Sequence, residues 1–373
     1  MANIKIGFYG HVRQYHNFKK EIDTAISNVL ESGKYVMGPA LLKFEEELAA
    51  YTGKKYAIGI NSGTDALWLS LLALGIGKGD EVITTANTFF ATAEAIWIVG
   101  AKSVFVDCDP KTYNIDVTKI EEKITSKTKA IIPVHLYGQA ADMLAISAIA
   151  KKHNLKIIED NAQALGAKGD TFKLGELSDT MGVSFIIQKN LGTFGDGGAV
   201  LTDDPKVTER IKALRNHGSL KRSCHSLGYN SRLDDIHAAI LSVKLKSLDK
   251  WNARRRVIAK MYDEGLKDTG LVLPYCKPGY YHVYHLYVVH TEKRDELQQY
   301  LENAGIVALT HYPIAIHQQE GYPWGCLAEM NPALPNTEWS SARCLSLPMY
   351  PELTDQEVQY VIETIKKRPK SKR

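Results

Sequence analysis

The sequence predicts an α/β fold of two unequal domains: a large domain on a mostly parallel, mixed sheet and a smaller C-terminal α/β domain. Three observations predict it. Short apolar runs alternate with helix-period segments from residue 56 to about 200, the pattern of a parallel sheet with helices on both faces. The alternation then ends, and a long helical pattern leads into a shorter α/β region. The chain has 373 residues, too many for one small core. The large domain is expected over residues 1–250 and the smaller over 251–373, with no Gly/Ser-rich linker between them.

Taken in order, residues 1–15 read as extended and irregular. Lys19 to Ser32 places Ile22, Ala25, Ile26, Val29 and Leu30 at helical spacing, and Gly33 stops it. Tyr35 to Pro39 is a turn, and Ala40 to Tyr51 is a second helix. Tyr56 to Ile60 is a strand, after which Asn61-Ser62-Gly63-Thr64-Asp65 opens a helix to about Leu74. Glu81 to Thr85 is a strand, Asn87 begins a helix through Val99, and Ser103 to Asp107 is a strand. Asp116 to Ile124 is a helix, Lys129 to Val134 a strand, Asp142 to His153 a helix, and Leu155 to Glu159 a strand.

Met181 to Ile187 is a short buried strand that ends in Gln188-Lys189. A glycine-rich turn with Gly192, Gly195, Gly197 and Gly198 follows, then a second apolar run to Thr202. Residues 206–218 form a basic helix, Lys221 to Gly228 a polar loop, and Asp234 to about Ala259 one long helix. The last elements are a strand at Tyr284 to His290 and helices at Arg294 to Ala304 and Thr354 to Lys366.

Composition excludes several classes. Apolar content of 45% and charged content of 24% are those of a soluble globular protein. The net charge of +4 comes largely from the tail Lys366 to Arg373, which reads as a solvated terminus rather than a nucleic-acid arm. Five widely spaced cysteines form no CxxC or Cys/His cluster, so no metal site is expected and a reducing cytoplasm is. No stretch approaches the roughly 18 apolar residues of a membrane helix.

The chemistry-bearing residues fall where the strands end, which is where ligands bind in such sheets. They are Ser62 to Thr64, Phe89, His135, Asp160 and Lys189. A lysine at the end of a buried strand is desolvated, which frees its amine to attack carbonyls. Alone, Lys189 reads better as a surface turn lysine, and Asp160 also reads as a structural cap and Ser62 as an ordinary N-cap. Together they match what pyridoxal phosphate requires. The lysine forms a Schiff base, the aspartate pairs with the pyridine nitrogen, the helix start takes the phosphate and Phe89 covers the ring.

Seven stretches in order carry a family resemblance. They are Ser62 to Leu67, Thr88 to Ala93, Pro133 to Gln139, Glu159 to Ala167, Ser184 to Gly192, Gly195 to Gly198 and Asn230 to Asp234. The chain resembles the DegT/DnrJ/EryC1/StrS sugar aminotransferases, pyridoxal-phosphate enzymes of fold type I. The resemblance implies that Lys189 is the cofactor lysine and proton shuttle, and that Asp160 meets the pyridine nitrogen. It implies that Gln163 meets the phenolic oxygen, that Ser62, Gly63, Thr64 and Ser184 bind phosphate, and that Phe89 stacks on the ring. Asn230 is expected to reach the phosphate of a neighbouring subunit, in a homodimer with shared sites. Tyr35, His311, Tyr312 and His317 fall on the substrate side. Glutamate is the expected donor and a nucleotide-linked keto-sugar, a 3-keto-6-deoxyhexose, the expected acceptor; the alternatives are a 4-keto sugar or keto-cyclitol as acceptor and a non-catalytic pyridoxal-phosphate-binding regulatory protein. Arg215, His217, Lys221 and Arg222 are candidates for its diphosphate. The tripeptide Ile186-Ile187-Gln188 before the lysine departs from the family's small or proline-bearing one, while the lysine itself marks an aminotransferase rather than a dehydratase with histidine there.

Overall fold

Seven strands form one sheet in the order β1-β7-β6-β5-β4-β2-β3. They are β1 (Tyr56–Ile60), β2 (Glu81–Thr85), β3 (Lys102–Val106), β4 (Thr128–Ile131), β5 (Lys156–Asp160), β6 (Thr180–Ser184) and β7 (Gly198–Thr202). All neighbours pair parallel except β7, which runs antiparallel to both β1 and β6. The structure, a computed structural model, describes residues 5–219, 224–321 and 333–368. Nearly every position of the central strands is buried, as sheets covered on both faces require.

The N-terminal region is helical: α1 (His11–Asn17), α2 (Lys19–Ser32) and α3 (Pro39–Thr52). The sequence reading left α1 irregular; the helix is short, buries no side chain and has no side-chain cap, so it leaves no periodic signal. Helix α3 begins with Pro39, whose missing N–H costs nothing in a first turn. Helices α4 (Gly63–Ala73), α5 (Ala91–Ile98), α6 (Met143–His153) and α7 (Pro205–Leu214) connect or follow the strands. Ser62 caps α4 by accepting from the Asp65 N–H, Asp142 caps α6 and Asp204 caps α7.

Two predicted helices change form. Asp116 to Ile124 is a pair of short 3₁₀ turns, Val117–Lys119 and Glu121–Lys123. The long helix from Asp234 is two, α8 (Asp235–Leu245) and α9 (Leu248–Leu266), broken at Lys246 and Ser247. The period conceals this break because Leu245 and Leu248 on either side of it are both buried. Similarly, Asn87 to Phe90 precede α5 as a turn rather than opening it.

The C-terminal part holds β8 (Tyr287–His290) antiparallel to β9 (Cys344–Leu347), with α10 (Arg294–Asn303), α11 (Pro335–Arg343) and α12 (Asp355–Lys366). The sequence reading did not find α11 or β9. Helix α12 carries a complete capping box between Thr354 and Glu357, the signal that made it legible. Ile258, Ala259, Tyr262 and Leu266 of α9 join β8, β9 and α12 in one apolar cluster, to which the N-terminal Ile6 also belongs. Leu248, at the start of α9, packs instead into the cluster beneath the large sheet. Among the described residues no helix is long and apolar enough to cross a membrane, and no group of His, Cys, Asp and Glu is arranged to hold a metal.

Candidate active site

A cavity of about 470 Å³ opens at the carboxyl ends of β5 and β6. The structure brings ten of the expected residues to its wall: Ser62, Gly63, Thr64, Phe89, Asp160, Gln163, Ser184, Lys189, His311 and Tyr312. Strand β6 ends at Ser184, earlier than the apolar run suggested, because the chain turns away from the ladder: the Lys189 N–H donates to Ile186 O at 2.9 Å. Lys189 therefore stands on a turn beyond the strand. Two neighbours, Ile186 and Gln188, line the cavity with it.

Burial pulls the Lys189 amine down to about 8, and the Asp160 carboxylate opposes that shift without cancelling it. No hydrogen bond ties the amine among the described residues. The loop beyond the lysine is pinned from below. Lys244, itself lowered to about 8 by burial, donates from Nζ to Gly192 O at 2.6 Å and lies over the Phe194 ring.

Asp160, the last residue of β5, is held at both oxygens. The Thr92 hydroxyl donates to Oδ2 at 2.8 Å and the Ala162 N–H to Oδ1 at 3.2 Å. Sequence reasoning quoted Thr92 within a motif and gave it no role. Gln163 accepts from the Tyr137 N–H at 2.8 Å and donates to Tyr312 Oη at 3.1 Å. Burial raises the Tyr312 phenol far above its ordinary range, so it stays protonated.

At the start of α4, Gly63 meets Ser184 so closely that a Cβ on it would lie 2.6 Å from the Ser184 Cβ. First-turn N–H groups of a helix have no intrahelical acceptor; Ser62 takes that of Asp65, while Gly63 and Thr64 line the cavity. Phe89 is 54% exposed and its ring centroid lies 5.6 Å from that of Tyr312. His311 binds Ser346 Oγ through Nδ1 at 2.8 Å; burial, then the Lys189 charge, bring its imidazole down to about 4.

Other expected residues lie elsewhere. Tyr35 is exposed and donates to Leu30 O. His317 is buried against Glu338 Oε1 at 3.1 Å. Asn230 is exposed and bridges to Asn216, away from the cavity of its own chain. His135 pairs with Glu159 at 2.8 Å beneath the sheet end and accepts the Ala141 N–H, a wholly structural arrangement. Arg215 is corrected outright as a diphosphate ligand. It is buried away from the cavity wall, where Nη1 pairs with Glu45 at 2.5 Å and donates to Gly59 O at 2.7 Å, so no ligand reaches it. His217 is exposed, and Lys221 and Arg222 lie outside the described residues. Sequence reasoning missed three cavity residues altogether, Tyr9, His285 and Thr310. His285 had a local signal, a histidine at the start of an apolar run, and nothing to say which strand end it would meet.

A mixed seven-stranded sheet that gathers a depressed lysine, a buried carboxylate and a helix start around one cavity is the arrangement of pyridoxal-phosphate enzymes of fold type I. The chain belongs to the DegT/DnrJ/EryC1/StrS aminotransferase family, whose model matches residues 16–366. It is 47% identical to the dTDP-3-amino-3,6-dideoxy-alpha-D-galactopyranose transaminase of Aneurinibacillus thermoaerophilus, over 93% of this chain and 95% of that one. It is also 47% identical to the "pleiotropic regulatory protein" of Geobacillus stearothermophilus, over 94% and 95% of the two chains. The crystal structure of S. venezuelae DesV in complex with a ketimine intermediate superposes with a TM-score of 0.95 at 42% identity, covering 98% of this chain and 99% of that one. The protein is a pyridoxal-phosphate-dependent sugar aminotransferase.

The residues present fit that cofactor. Gly63 leaves a cradle that any Cβ would fill, Phe89 offers an uncovered ring, and Asp160 keeps a carboxylate inside the cavity opposite the lysine.

Proposed function

We propose that the chain transfers an amino group from glutamate to C3 of a nucleotide-linked 3-keto-6-deoxyhexose, carried on dTDP, for amino-sugar biosynthesis. The observation that carries this reading is the near-complete, 47% identity to a transaminase named for a dTDP-3-amino-3,6-dideoxy sugar.

Pyridoxal phosphate, when bound, supplies the electron sink that acidifies the carbon bearing the amine. The chain does the rest. Lys189 Nζ would hold the cofactor and, as a free amine, would carry the proton taken from the donor's α-carbon. An amine lowered to about 8 is partly unprotonated near neutrality, as a general base must be. Asp160, fixed by Thr92 and the Ala162 N–H, presents its charge to the pyridine nitrogen. Gln163, whose amide donates to Tyr312 Oη, would face the phenolic oxygen. Ser62, Gly63, Thr64 and Ser184 hold the phosphate at the N-terminus of α4, and Phe89 covers the ring and limits water. His311 and Tyr312 stand on the sugar side.

The same reading makes the active unit a homodimer. Asn230 is exposed and absent from its own cavity wall, which suits a residue that reaches the phosphate of the partner's site. It also divides the chain near residue 250, a division supported by α9, which feeds one apolar cluster with Leu248 and another with Ile258 to Leu266.

The test is direct. Glutamate is supplied with dTDP-linked 3-keto and 4-keto sugars in turn, and the amine position in the product is read by NMR. Amination at C3 is expected. Turnover of the 4-keto sugar alone overturns the assignment of position.

A further inference from the structure

His285 stands on the cavity wall and has no part in the roles above. It precedes β8 in a segment clamped to the sheet end. The Val283 N–H donates to Gly138 O at 2.9 Å, and the Leu286 N–H to Tyr137 O at 3.3 Å. Buried Arg255 donates to the carbonyls of Tyr284 and His285. Gly138 allows this approach: its φ is +106°, and a Cβ there would lie 2.8 Å from the His285 backbone nitrogen.

The ring is oriented by a polar chain whose direction is fixed. Leu165 O can only accept, so the Asn252 amide donates to it at 3.0 Å through Nδ2. That leaves Asn252 Oδ1 to accept from Asn190 Nδ2 at 2.7 Å. Asn190 Nδ2 also donates to Val283 O at 3.3 Å, so Asn190 Oδ1 must be the acceptor toward His285. The remaining contact, His285 Nδ1 to Asn190 Oδ1 at 3.1 Å, then requires the proton on Nδ1. Nε2 is an unprotonated lone pair with no partner among the described residues. Asn190 directly follows Lys189, so the chain that sets the tautomer also anchors the backbone of the cofactor lysine.

We propose that His285 is a positioning residue for the Lys189 amine, offering it an imidazole lone pair whose tautomer is set from Leu165 through Asn252 and Asn190. The hydrogen bond forms when the lysine is not attached to the cofactor and carries the proton, and it holds the ammonium within the cavity between donor and acceptor carbons. This rests on the reading of Lys189 as the cofactor lysine. The imidazole stays neutral, since burial, then the charges of Lys189, Arg255 and His311, hold it well below its ordinary value. Other groups facing the lysine do other work. Asp160 stabilises its charge from β5, and Tyr9, Asp196, His311 and Tyr312 line the remaining wall.

The test uses the holoenzyme loaded with pyridoxamine phosphate, in which Lys189 is a free amine. ¹⁵N NMR of histidine-labelled protein should show His285 protonated on Nδ1 alone. Its Nε2 signal should move through one pH step that coincides with the midpoint for acylation of Lys189, read by mass spectrometry. The step should vanish in Lys189→Met. In His285→Met the acylation midpoint should fall by about one pH unit, because the ammonium loses its acceptor. His285→Gln keeps an acceptor and should hold the midpoint. A proton on Nε2, an imidazolium at neutral pH or a flat Nε2 signal overturns the proposal. So does a midpoint that moves alike in the Met and Gln variants. Should the variants fail to fold, the tautomer in the wild-type protein decides alone. Failure of the Lys189 assignment is separate: Lys189→Met would then retain the full cofactor absorbance and turnover.

Discussion

Thr92, in the first turn of α5, donates its hydroxyl to the Asp160 carboxylate at the end of β5, 2.8 Å away. The Thr88 hydroxyl stands 3.1 Å behind Thr92, so a short relay of two hydroxyls supports the group expected to face the pyridine nitrogen. A hydrogen bond to a charged group contributes roughly 1.5–3 kcal/mol. Thr92→Val keeps the shape and removes the donor. Its cofactor dissociation constant should rise by about tenfold or more, and Thr92→Ser should restore most of the affinity. Equilibrium dialysis with pyridoxal phosphate checks both.

Lys189→Ala should abolish amine transfer and remove the change in cofactor absorbance on adding glutamate. Its pH signature is visible without cofactor. The folded-state amine sits near 8 against the 10.5 of a free lysine, so the unfolded chain binds more protons between those values. Stability from this group is full above 10.5 and is lost as pH falls through 8. Below pH 8, apo Lys189→Met should resist urea better than the wild-type apoprotein, and the gap should close as pH rises toward 10.5. A gap independent of pH would show that the lysine is not desolvated.

Gly63→Ala places a methyl where only 2.6 Å separates it from Ser184. Overpacking of this kind costs about 1–3 kcal/mol. The variant should melt a few degrees lower and lose cofactor on gel filtration, since the helix start must withdraw from the strand end that forms the other half of the cradle.

Asn230 should act across subunits. At limiting cofactor, Asn230→Ala and Lys189→Ala should each be inactive. After unfolding and refolding together, half of randomly paired dimers would hold one complete site, so activity should return to about a quarter of the wild-type value. No recovery in a mixed dimer would place Asn230 in its own chain's site.

Arg215→Met should act on stability alone. Breaking a buried ion pair from one side costs about 3–5 kcal/mol by stranding the other charge, here Glu45. The melting temperature should fall while the KM for the nucleotide sugar stays unchanged in the folded fraction. The double variant Glu45→Leu with Arg215→Met should recover much of the loss.

Local chemistry carried most of the elements. Helix α2 was legible to the residue because Ile22 and Val29 repeat on one face and Gly33 takes the left-handed conformation that ends it. Strands β1 and β2 were legible because short stretches rich in strand-forming residues, Tyr56 to Ile60 and Val82 to Thr85, are bounded by turn residues. The elements that escaped have weaker local signals. Strand β9 has four residues and exists by pairing with β8. The break between α8 and α9 interrupts no apolar stripe.

The sequence by itself determined that this is an α/β chain with Lys189, Asp160, Phe89 and Ser62 to Thr64 at successive element ends, since strand, cap and turn are set by neighbours a few residues apart. Only the tertiary structure decided who meets whom. It set Thr92 beneath Asp160, took Arg215 away to Glu45, left Asn230 outside its own cavity and brought His285 to the wall beside Lys189. Such contacts join residues many tens of positions apart. They depend on the strand order and on which side of the sheet each loop falls, and no local pattern encodes either.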